Sequence, residues 1–168
     1  MTPAGPPAGL RVRPATEADA AFLADLANAF YAPVTGGGAW MTLERVREDW
    51  LAAANPFAVL VAALDGRPVG YALHGPAYES AWAARGRYLN DLAVIPEARR
   101  RGVGRALVAR LARITRDEGG TFLWWVNADA LPEGLGLYRR LADVEERVNA
   151  FAVTRHRFRA LADEAPER

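Results

Sequence analysis

The chain has 168 residues, of which 51% are hydrophobic and 24% charged, and its formal net charge at pH 7 is +1. These values are typical of a single folded domain, and the charge is too small to indicate a general nucleic-acid-binding protein. Because the chain contains neither cysteine nor lysine, the sequence excludes a disulfide framework, a thiolate nucleophile and a Walker A phosphate loop.

The N-terminal sequence "MTPAGPPAGL" is rich in proline and glycine and lacks the basic and apolar regions of a signal peptide. We therefore expect a flexible arm over residues 1–9. No apolar stretch approaches the about 20 residues that a membrane span requires. The expected location is the cytoplasm, with no membrane partner.

The first part of the chain predicts one strand followed by two helices. "LRVRPA" alternates like a short strand, and Thr16 with an acid three residues later forms a capping-box pattern that begins a helix. The loop "APVTGGGAW" ends that helix. Thr42 can cap a second helix, which Asn55-Pro56 ends.

The middle of the chain predicts a hairpin and then a crossover. "FAVLVAAL" and "RPVGYALHG" are strands two and three, joined by Asp65-Gly66, a dipeptide typical of tight hairpins. "RYLNDLAVIP" is strand four, "GVGRALVARLARITRDEGG" is a helix that ends at Gly119, and "TFLWWV" is strand five. Strand, helix and strand at this spacing predict a right-handed crossover between two parallel strands.

The C-terminal part predicts a short helix over "LGLYRRLA", a last strand over "VNAFAVTRHRF" (residues 148–158) and a polar tail over residues 161–168. A single domain is therefore expected over residues 10–160. Its expected fold class is mixed α/β, with a mostly antiparallel central sheet that includes one parallel pair of strands and is flanked by about four helices.

Two glycines and four arginines mark the start of the helix after strand four. Gly102 and Gly104 lie in its first turn, where unpaired N–H groups and the helix dipole favour an anion, here a pyrophosphate. The neighbouring cations can neutralise that charge: Arg99, Arg100, Arg101 and Arg105. The alternative is a glycine-rich helix start with a solvated arginine cluster. A dinucleotide fold is disfavoured because Leu107 stands where its third glycine belongs.

The segment "LNDLAVIPEARRRGVGRALV" resembles the acyl-CoA-binding signature of the GNAT superfamily of N-acetyltransferases, with Arg99-x-x-Gly102-x-Gly104 as its central element. The similarity extends to the order of strands and helices over about residues 10 to 160. It implies the GNAT fold, in which strands four and five splay apart, and acetyl-CoA as a co-substrate without a metal. The "WWV" strand is similar to the branch that includes polyamine and histone-type acetyltransferases.

The resemblance also implies which positions bind CoA. Leu92, Ala93 and Val94 match the strand segment whose backbone pairs with the pantetheine arm. The next loop matches the segment whose backbone holds the pyrophosphate, and it comprises Arg99, Arg100, Arg101, Gly102, Val103, Gly104 and Arg105. Family members commonly carry an asparagine where this chain has Leu131. Asn127, just after strand five, can replace it or can cap a turn.

Tyr138 matches the family tyrosine that protonates the departing CoA thiolate. A phenol suits this role because the pKa values of phenol and thiol lie within about two units of each other. The alternative is a core tyrosine, since Leu137 and Leu141 are close by in the sequence.

The general base is left open by the sequence. An attacking amine must lose a proton, and related strands often carry Glu-Asp where this chain has Asn90-Asp91. Strand alternation places Asn90 on the same face as Leu92, and Asp91 on the opposite face. Asn90 can position a water, whereas Asp91 is either the base or a structural carboxylate. Glu79 and His74 are weaker candidates.

Several aromatic residues can surround a cationic acceptor, or can instead be core or dimer contacts: Tyr31, Trp40, Tyr78 and Trp82. The predicted function is transfer of an acetyl group from acetyl-CoA directly to a primary amine of a small molecule or protein. One alternative is a CoA-binding regulatory module of the same fold that has lost catalysis. Another, resting on residues 99–101 alone, is an arginine-rich nucleic-acid module, although no nucleic-acid partner is expected. The sequence is compatible with a homodimer.

Overall fold

A computed structural model of the chain describes residues 7–127 and 132–166. Its central sheet has five strands, and their order across the sheet is the same as their order in the sequence. The first four pair antiparallel with their neighbours, and the fourth and fifth are parallel. The strands are β1 (Leu10–Pro14), β2 (Ala58–Leu64), β3 (Arg67–Glu79), β4 (Ala84–Val94) and β5 (Phe122–Trp124). The predicted mixed sheet with one parallel pair is confirmed.

Five α-helices accompany this sheet in the described part of the chain: α1 (Ala20–Thr35), α2 (Leu43–Arg45), α3 (Val103–Asp117), α4 (Leu135–Leu141) and α5 (Arg155–Asp163). A π-helical turn over Val46–Leu51 continues α2. Short 3₁₀ turns precede α1, α3 and α4, at Glu17–Asp19, Pro96–Ala98 and Pro132–Gly134. No helix among residues 7–127 and 132–166 is long and apolar enough to cross a membrane.

The predicted capping box and hairpin turn are both confirmed. The backbone N–H of Thr16 donates to Asp19 Oδ2 at 2.8 Å, and Arg13 holds both oxygens of the same carboxylate at 2.6 and 2.8 Å. The turn between β2 and β3 places Asp65 and Gly66 at φ 50° and 82°. Positive φ at both positions is what a type I′ hairpin turn requires, and aspartate and glycine tolerate it.

The core divides between the two faces of the sheet. On one face, α1 and the π-helical turn pack onto residues that include Leu23, Val46, Val61 and Tyr71. On the other face, α3 packs through Val103, Leu107 and Leu111 against Leu60, Ala72 and Leu89. The amphipathic pattern of α3 is thus satisfied by the sheet, which fixes the direction in which its N-terminus points.

β4 contains a bulge at Asn90. Asp91 lies opposite Leu73 and Leu89 lies opposite the next residue of β3, so Asn90 is an extra residue without a counterpart. The regular alternation predicted for this strand is therefore wrong. Leu89 and Leu92 pack into the same cluster beside α3, although alternation would separate them.

β4 and β5 pair over three residues only. Gly86, Arg87 and Tyr88 lie opposite Phe122, Leu123 and Trp124. β4 continues to Val94, whereas β5 ends at Trp124 and is shorter than the predicted "TFLWWV". A segment of β4 edge beyond Tyr88 therefore has no β5 partner, in agreement with a GNAT-type separation of the two strands.

The predicted last strand over residues 148–158 is wrong. Residues 144–154 form neither helix nor strand, and α5 begins at Arg155, so that the predicted boundary at residue 160 falls inside a helix. Every residue from 143 to 166 is exposed. The apolar segment "VNAFAV" pairs with no strand of the described sheet, and without a partner strand no ladder of hydrogen bonds holds it extended.

Candidate active site

A loop between β4 and α3 presents backbone N–H groups beside a free strand edge. Arg100 and Gly102 take positive φ values of 60° and 83°, and α3 begins at Val103. The first helical hydrogen bond runs from Ala106 N to Gly102 O at 3.0 Å, so the N–H groups of the preceding turn lie outside the helical ladder. Together with the dipole of α3, these groups form a surface suited to an anion.

The two glycines of this loop have different structural roles. Gly102 occupies the left-handed region, where a side chain is strained. Gly104 is helical, but an added Cβ would lie 2.9 Å from Leu137 Cδ2 and 3.7 Å from Leu92 Cδ2. Gly104 therefore allows α4 to pack closely on α3. The sequence interpretation explained both glycines by the anion and did not include this packing role.

The four arginines are not equivalent. Arg99 Nε donates to the carbonyl of Val94 at 3.0 Å, and its Nη1 pairs with Glu133 at 2.5 Å. It thus links the end of β4 to the turn that begins α4. Arg100, Arg101 and Arg105 are exposed, and they surround the loop with positive charge.

The strand segment before the loop carries the predicted pantetheine positions. Ala93 is buried on the α1 side of the sheet, whereas Leu92 and Val94 are half-buried against the α3 cluster. All three lie on the part of β4 beyond its pairing with β5. Their backbone groups on that edge face the gap between the two strands.

Tyr138 projects from α4 and is half-buried. Its ring centroid lies 5.5 Å from that of Trp125, and the ring also covers Gly134, where an added Cβ would be 2.9 Å from the phenol oxygen. Burial raises the pKa of the Tyr138 phenol, and the negative charge of Asp91 raises it further. The hydroxyl therefore keeps its proton at neutral pH and can donate it.

Asp91 is buried and accepts hydrogen bonds from two tyrosines. Tyr31 Oη donates to Oδ1 at 2.5 Å, and Tyr71 Oη donates to Oδ2 at 3.2 Å. Burial raises the pKa of the Asp91 carboxyl, although both hydrogen bonds oppose that shift. Burial and the charge of Asp91 also raise the pKa values of Tyr31 and Tyr71. The carboxylate and the two phenols are therefore joined by hydrogen bonds, and the charge of one group affects the pKa of the others.

Sequence reasoning did not identify Tyr71 as a partner of Asp91. The signal was present in the hairpin, because the register between β3 and β4 brings Leu73 opposite Asp91 and Tyr71 opposite Ala93. Tyr71 is therefore the diagonal neighbour of Asp91 on the same face, within reach of a long side chain. Asn90, by contrast, is exposed at the bulge.

The other residues considered as bases lie apart from this cluster. Glu79 is opposite Ala84 near the start of β4 and accepts from the N–H of Ala81 at 2.9 Å. His74 is buried, and Arg87 Nη1 lies 3.1 Å from its Nδ1. Burial, followed by the charge of Arg87, lowers the pKa of His74 to about 4, so it is neutral at pH 7.

The four aromatic residues predicted around the acceptor separate into two groups. Tyr31 and Trp40 meet edge to face at a centroid distance of 5.8 Å, next to Asp91. Trp82 instead contacts Phe122 and Trp124 on β5, and Tyr78 is exposed on β3. Asn127 is half-buried after β5, and Leu131 lies outside the described residues.

Comparison with known proteins decides the family. Residues 21–142 match the acetyltransferase (GNAT) family. The chain belongs to this family. The match confirms the predicted superfamily and, with it, the enzyme class of acyl-CoA N-acyltransferases. The finer assignment to a polyamine or histone-type branch stays a prediction.

Individual relatives of this GNAT chain share about a third of its residues over part of its length. It is 30% identical over 106 residues to the thialysine N-epsilon-acetyltransferase of Bos taurus, covering 58% of this chain and 62% of that protein. It is 33% identical over 98 residues to the Caenorhabditis elegans enzyme of the same name, covering 58% of this chain and 59% of that protein. The matches thus span about three fifths of these relatives.

The aminoglycoside N-acetyltransferase AAC(6')-Iy, solved in complex with CoA, superimposes with a TM-score of 0.70 at 20% identity. The superposition covers 90% of this chain and 98% of that one. At this identity the likeness concerns the fold, and it confirms the predicted GNAT architecture.

Proposed function

We propose that the protein transfers the acetyl group of acetyl-CoA directly to a primary amine. The observation that supports the proposal is that Asp91, a buried carboxylate on β4, acts electrostatically on the phenol of Tyr138, while the turn that begins α3 follows the same strand. An acid candidate and a base candidate that act on each other suit a reaction in which one proton leaves the nucleophile and another reaches the leaving group.

The residues present fit acetyl-CoA as co-substrate, which supplies the activated acetyl thioester. The N–H groups at the start of α3 and the cations of Arg100, Arg101 and Arg105 suit the pyrophosphate. The backbone of Leu92, Ala93 and Val94 offers the free strand edge along which an amide-containing arm can add like another strand. Arg99 fixes the end of that edge through the carbonyl of Val94.

This chain has a candidate general acid and a candidate general base for the proposed reaction. The Tyr138 phenol, whose pKa is raised, delivers its proton to the departing thiolate as the C–S bond breaks. An amine reaches the enzyme mostly protonated, and its first proton passes to Asp91, whose raised pKa improves it as a base. The free amine forms the C–N bond as the C–S bond breaks, and its second proton restores the Tyr138 phenol. The Tyr31 hydroxyl, 2.5 Å from Asp91, is placed to relay the first proton. The side-chain amide of Asn90 is exposed and cannot take up a proton, so its proposed role is to position a water molecule.

The acceptor is proposed to be a small molecule with a cationic amine, although a protein amine uses the same chemistry. Tyr31 and Trp40 provide aromatic faces beside Asp91, and such faces attract a cation. The related enzymes named for thialysine and aminoglycosides act on small-molecule amines, which supports this choice. The proposed location is the cytoplasm.

Release of the CoA thiol from acetyl-CoA tests the proposal. The chain has no cysteine, so a thiol reagent reports CoA without a protein background. Thialysine, lysine, polyamines, aminoglycosides and a lysine peptide form the panel of acceptors. We expect amine-dependent release that falls in Asp91→Asn and in Tyr138→Phe.

The competing function is a CoA-binding regulatory module, which the non-ionisable Asn90 at the usual acidic position favours. Such a module would bind CoA in calorimetry and release no thiol with any amine. That combination of results would reject the enzymatic proposal and support the regulatory one.

A further inference from the structure

Asn28 of α1 binds the backbone of a nearby loop through both groups of its side-chain amide. Its Nδ2 donates to the carbonyl of Met41 at 2.9 Å, and its Oδ1 accepts from the N–H of Met41 at 2.9 Å. Asn28 is half-buried and Met41 is buried. Two bonds to one residue hold its backbone in one orientation, because turning it would leave buried polar groups without partners.

The loop is held by few other contacts. Residues 36–42 join α1 to α2, and Met41 is the one buried residue among them. Residues 36–38 are glycines with positive φ values of 76°, 86° and 101°, and nothing lies within 4 Å of the positions that their Cβ atoms would take. In the described part of the chain, residues 38–41 make no hydrogen bond other than the two with Asn28. The position of the loop before α2 therefore depends on Asn28.

The contact orients Trp40, the aromatic residue next to Met41. The N–H that binds Asn28 belongs to the planar peptide group between Trp40 and Met41, so the bond fixes the plane of that group. Trp40 meets Tyr31 edge to face at a centroid distance of 5.8 Å, and Tyr31 Oη donates to Asp91. Asn28 and Tyr31 are three residues apart on α1 and are therefore neighbours on the helix surface. One turn of α1 thus holds both aromatic rings beside Asp91.

We propose that Asn28 is a positioning residue for the acceptor: through Met41 it holds Trp40 against a cationic group of the bound amine. The proposal rests on the proposed function, because it concerns the acceptor of the same reaction. Trp40 is 36% exposed, so part of its ring is open to a ligand. Asn28 acts through the loop and not on the reacting atoms.

The loss of this contact affects acceptor binding rather than chemistry. An acceptor with a second ammonium group, such as lysine or a polyamine, keeps that charge while its first amine reacts. A contact between this ammonium and Trp40 therefore stabilises the ground state and the transition state equally, and its removal raises KM and leaves kcat unchanged. Tyr31 stays in place in the absence of Asn28, because its own hydrogen bond to Asp91 holds it.

Steady-state kinetics of Asn28→Ala test the proposal, with an acceptor that the wild type acetylates and that carries a second ammonium group. We expect KM for this amine to rise by about 3- to 30-fold, the range that one contact between a cation and an aromatic face contributes to affinity. The kcat and the CoA affinity should stay at the wild-type values. Alanine is favourable inside a helix, so α1 is kept. Faster hydrogen exchange at the Met41 amide verifies that the contact is broken.

Asn55 provides the matched control. It is also half-buried, its Oδ1 accepts from the N–H of Phe57 at 3.0 Å, and its Nδ2 donates to the carbonyl of Asp49. These bonds join the π-helical turn to β2 and lie outside the loop of Trp40. Asn55→Ala therefore loses a comparable pair of hydrogen bonds and should keep the wild-type KM.

A double mutant shows whether Asn28 acts through Trp40. Trp40→Ala should raise KM by itself, and Asn28→Ala should then add little, because the ring that it positions is gone. Increases in KM that add in full, an unchanged KM in Asn28→Ala, or an equal increase in Asn55→Ala would overturn the proposal.

The wild type separates this proposal from the proposed function. If the wild type releases no CoA thiol with any amine, the proposed function fails and the role of Asn28 fails with it. If the wild type is active and Asn28→Ala has the same KM, only the role of Asn28 is wrong.

Discussion

Gly134 lies beneath the ring of Tyr138, where a methyl group would collide with it. An added Cβ would be 2.5 Å from Cε2, 2.7 Å from Cζ and 2.9 Å from Oη of Tyr138. Carbon atoms in contact are normally about 3.5–4.0 Å apart. Gly134→Ala must therefore move the ring by about 1 Å, the difference between these distances. The backbone of Gly134 has an ordinary φ of −77°, so the alanine itself introduces no conformational strain.

A displacement of this size acts on catalysis rather than on folding. Misplacing a reacting group by about 1 Å can cost as much as 10²-fold in rate, so we expect the kcat of Gly134→Ala to fall by about 10- to 100-fold. CoA affinity should hold, because the loop before α3 is not touched. Tyr138→Phe should then lose little further activity in the Gly134→Ala background, since the hydroxyl is already out of place.

Gly136 provides the matched control within α4. An added Cβ there has only the flexible end of Arg140 nearby, at 3.7 Å. Gly136→Ala should stabilise the helix by about 0.5–1 kcal/mol and leave kcat unchanged. Steady-state kinetics and thermal unfolding of both variants complete the test. Equal kcat values for Gly134→Ala and Gly136→Ala would refute the argument that Gly134 positions the phenol.

Two further predictions concern charge. Asp91→Asn should gain stability relative to wild type as pH rises from acidic to neutral, because the raised pKa of Asp91 means that its ionised form is disfavoured in the folded state. Asp19→Asn should instead lose stability relative to wild type over the same pH rise, because the hydrogen bond with Arg13 lowers the pKa of Asp19. Urea unfolding at several pH values measures the unfolding free energy of both variants and of wild type. Free energies that change with pH in parallel for the three proteins would contradict both predictions. Arg101→Ala should weaken CoA binding more at low than at high salt because its charge is exposed and screened. Arg99→Ala should weaken it at both salt concentrations, because Arg99 holds the carbonyl of Val94; calorimetry at two ionic strengths distinguishes these results.

Elements whose partners are local in sequence were predictable. The capping residues Thr16 and Asp19 and the turn at Asp65-Gly66 depend on backbone geometry within a few residues, and the structure contains both. The turn before α3 was predictable because Gly102 and the arginines share one short segment, and anion binding at this turn stays a prediction. In each case, the physical cause and the sequence pattern occupy the same few residues.

Features that depend on distant partners were missed or wrong. The bulge at Asn90 changes which side chains of β4 share a face, and nothing within β4 itself marks it. Gly104 is needed because Leu137 of α4 packs against it. Asp91 accepts a hydrogen bond from Tyr71, which lies on another strand, β3. The last strand was predicted from the apolar segment that begins at Val148, but a strand also needs a partner strand, and these residues pair with none in the described sheet.

The kcat of Tyr138→Phe, measured with a saturating amine from mildly acidic to alkaline pH, tests the central claim most directly. The change removes only the hydroxyl and keeps the ring against Trp125. We expect kcat to fall by about 10²-fold or more, the usual effect of losing an acid–base group, while CoA affinity and unfolding free energy stay at the parent values. A kcat equal to that of the parent across the pH range would contradict it, and Tyr138 would then be a packing residue.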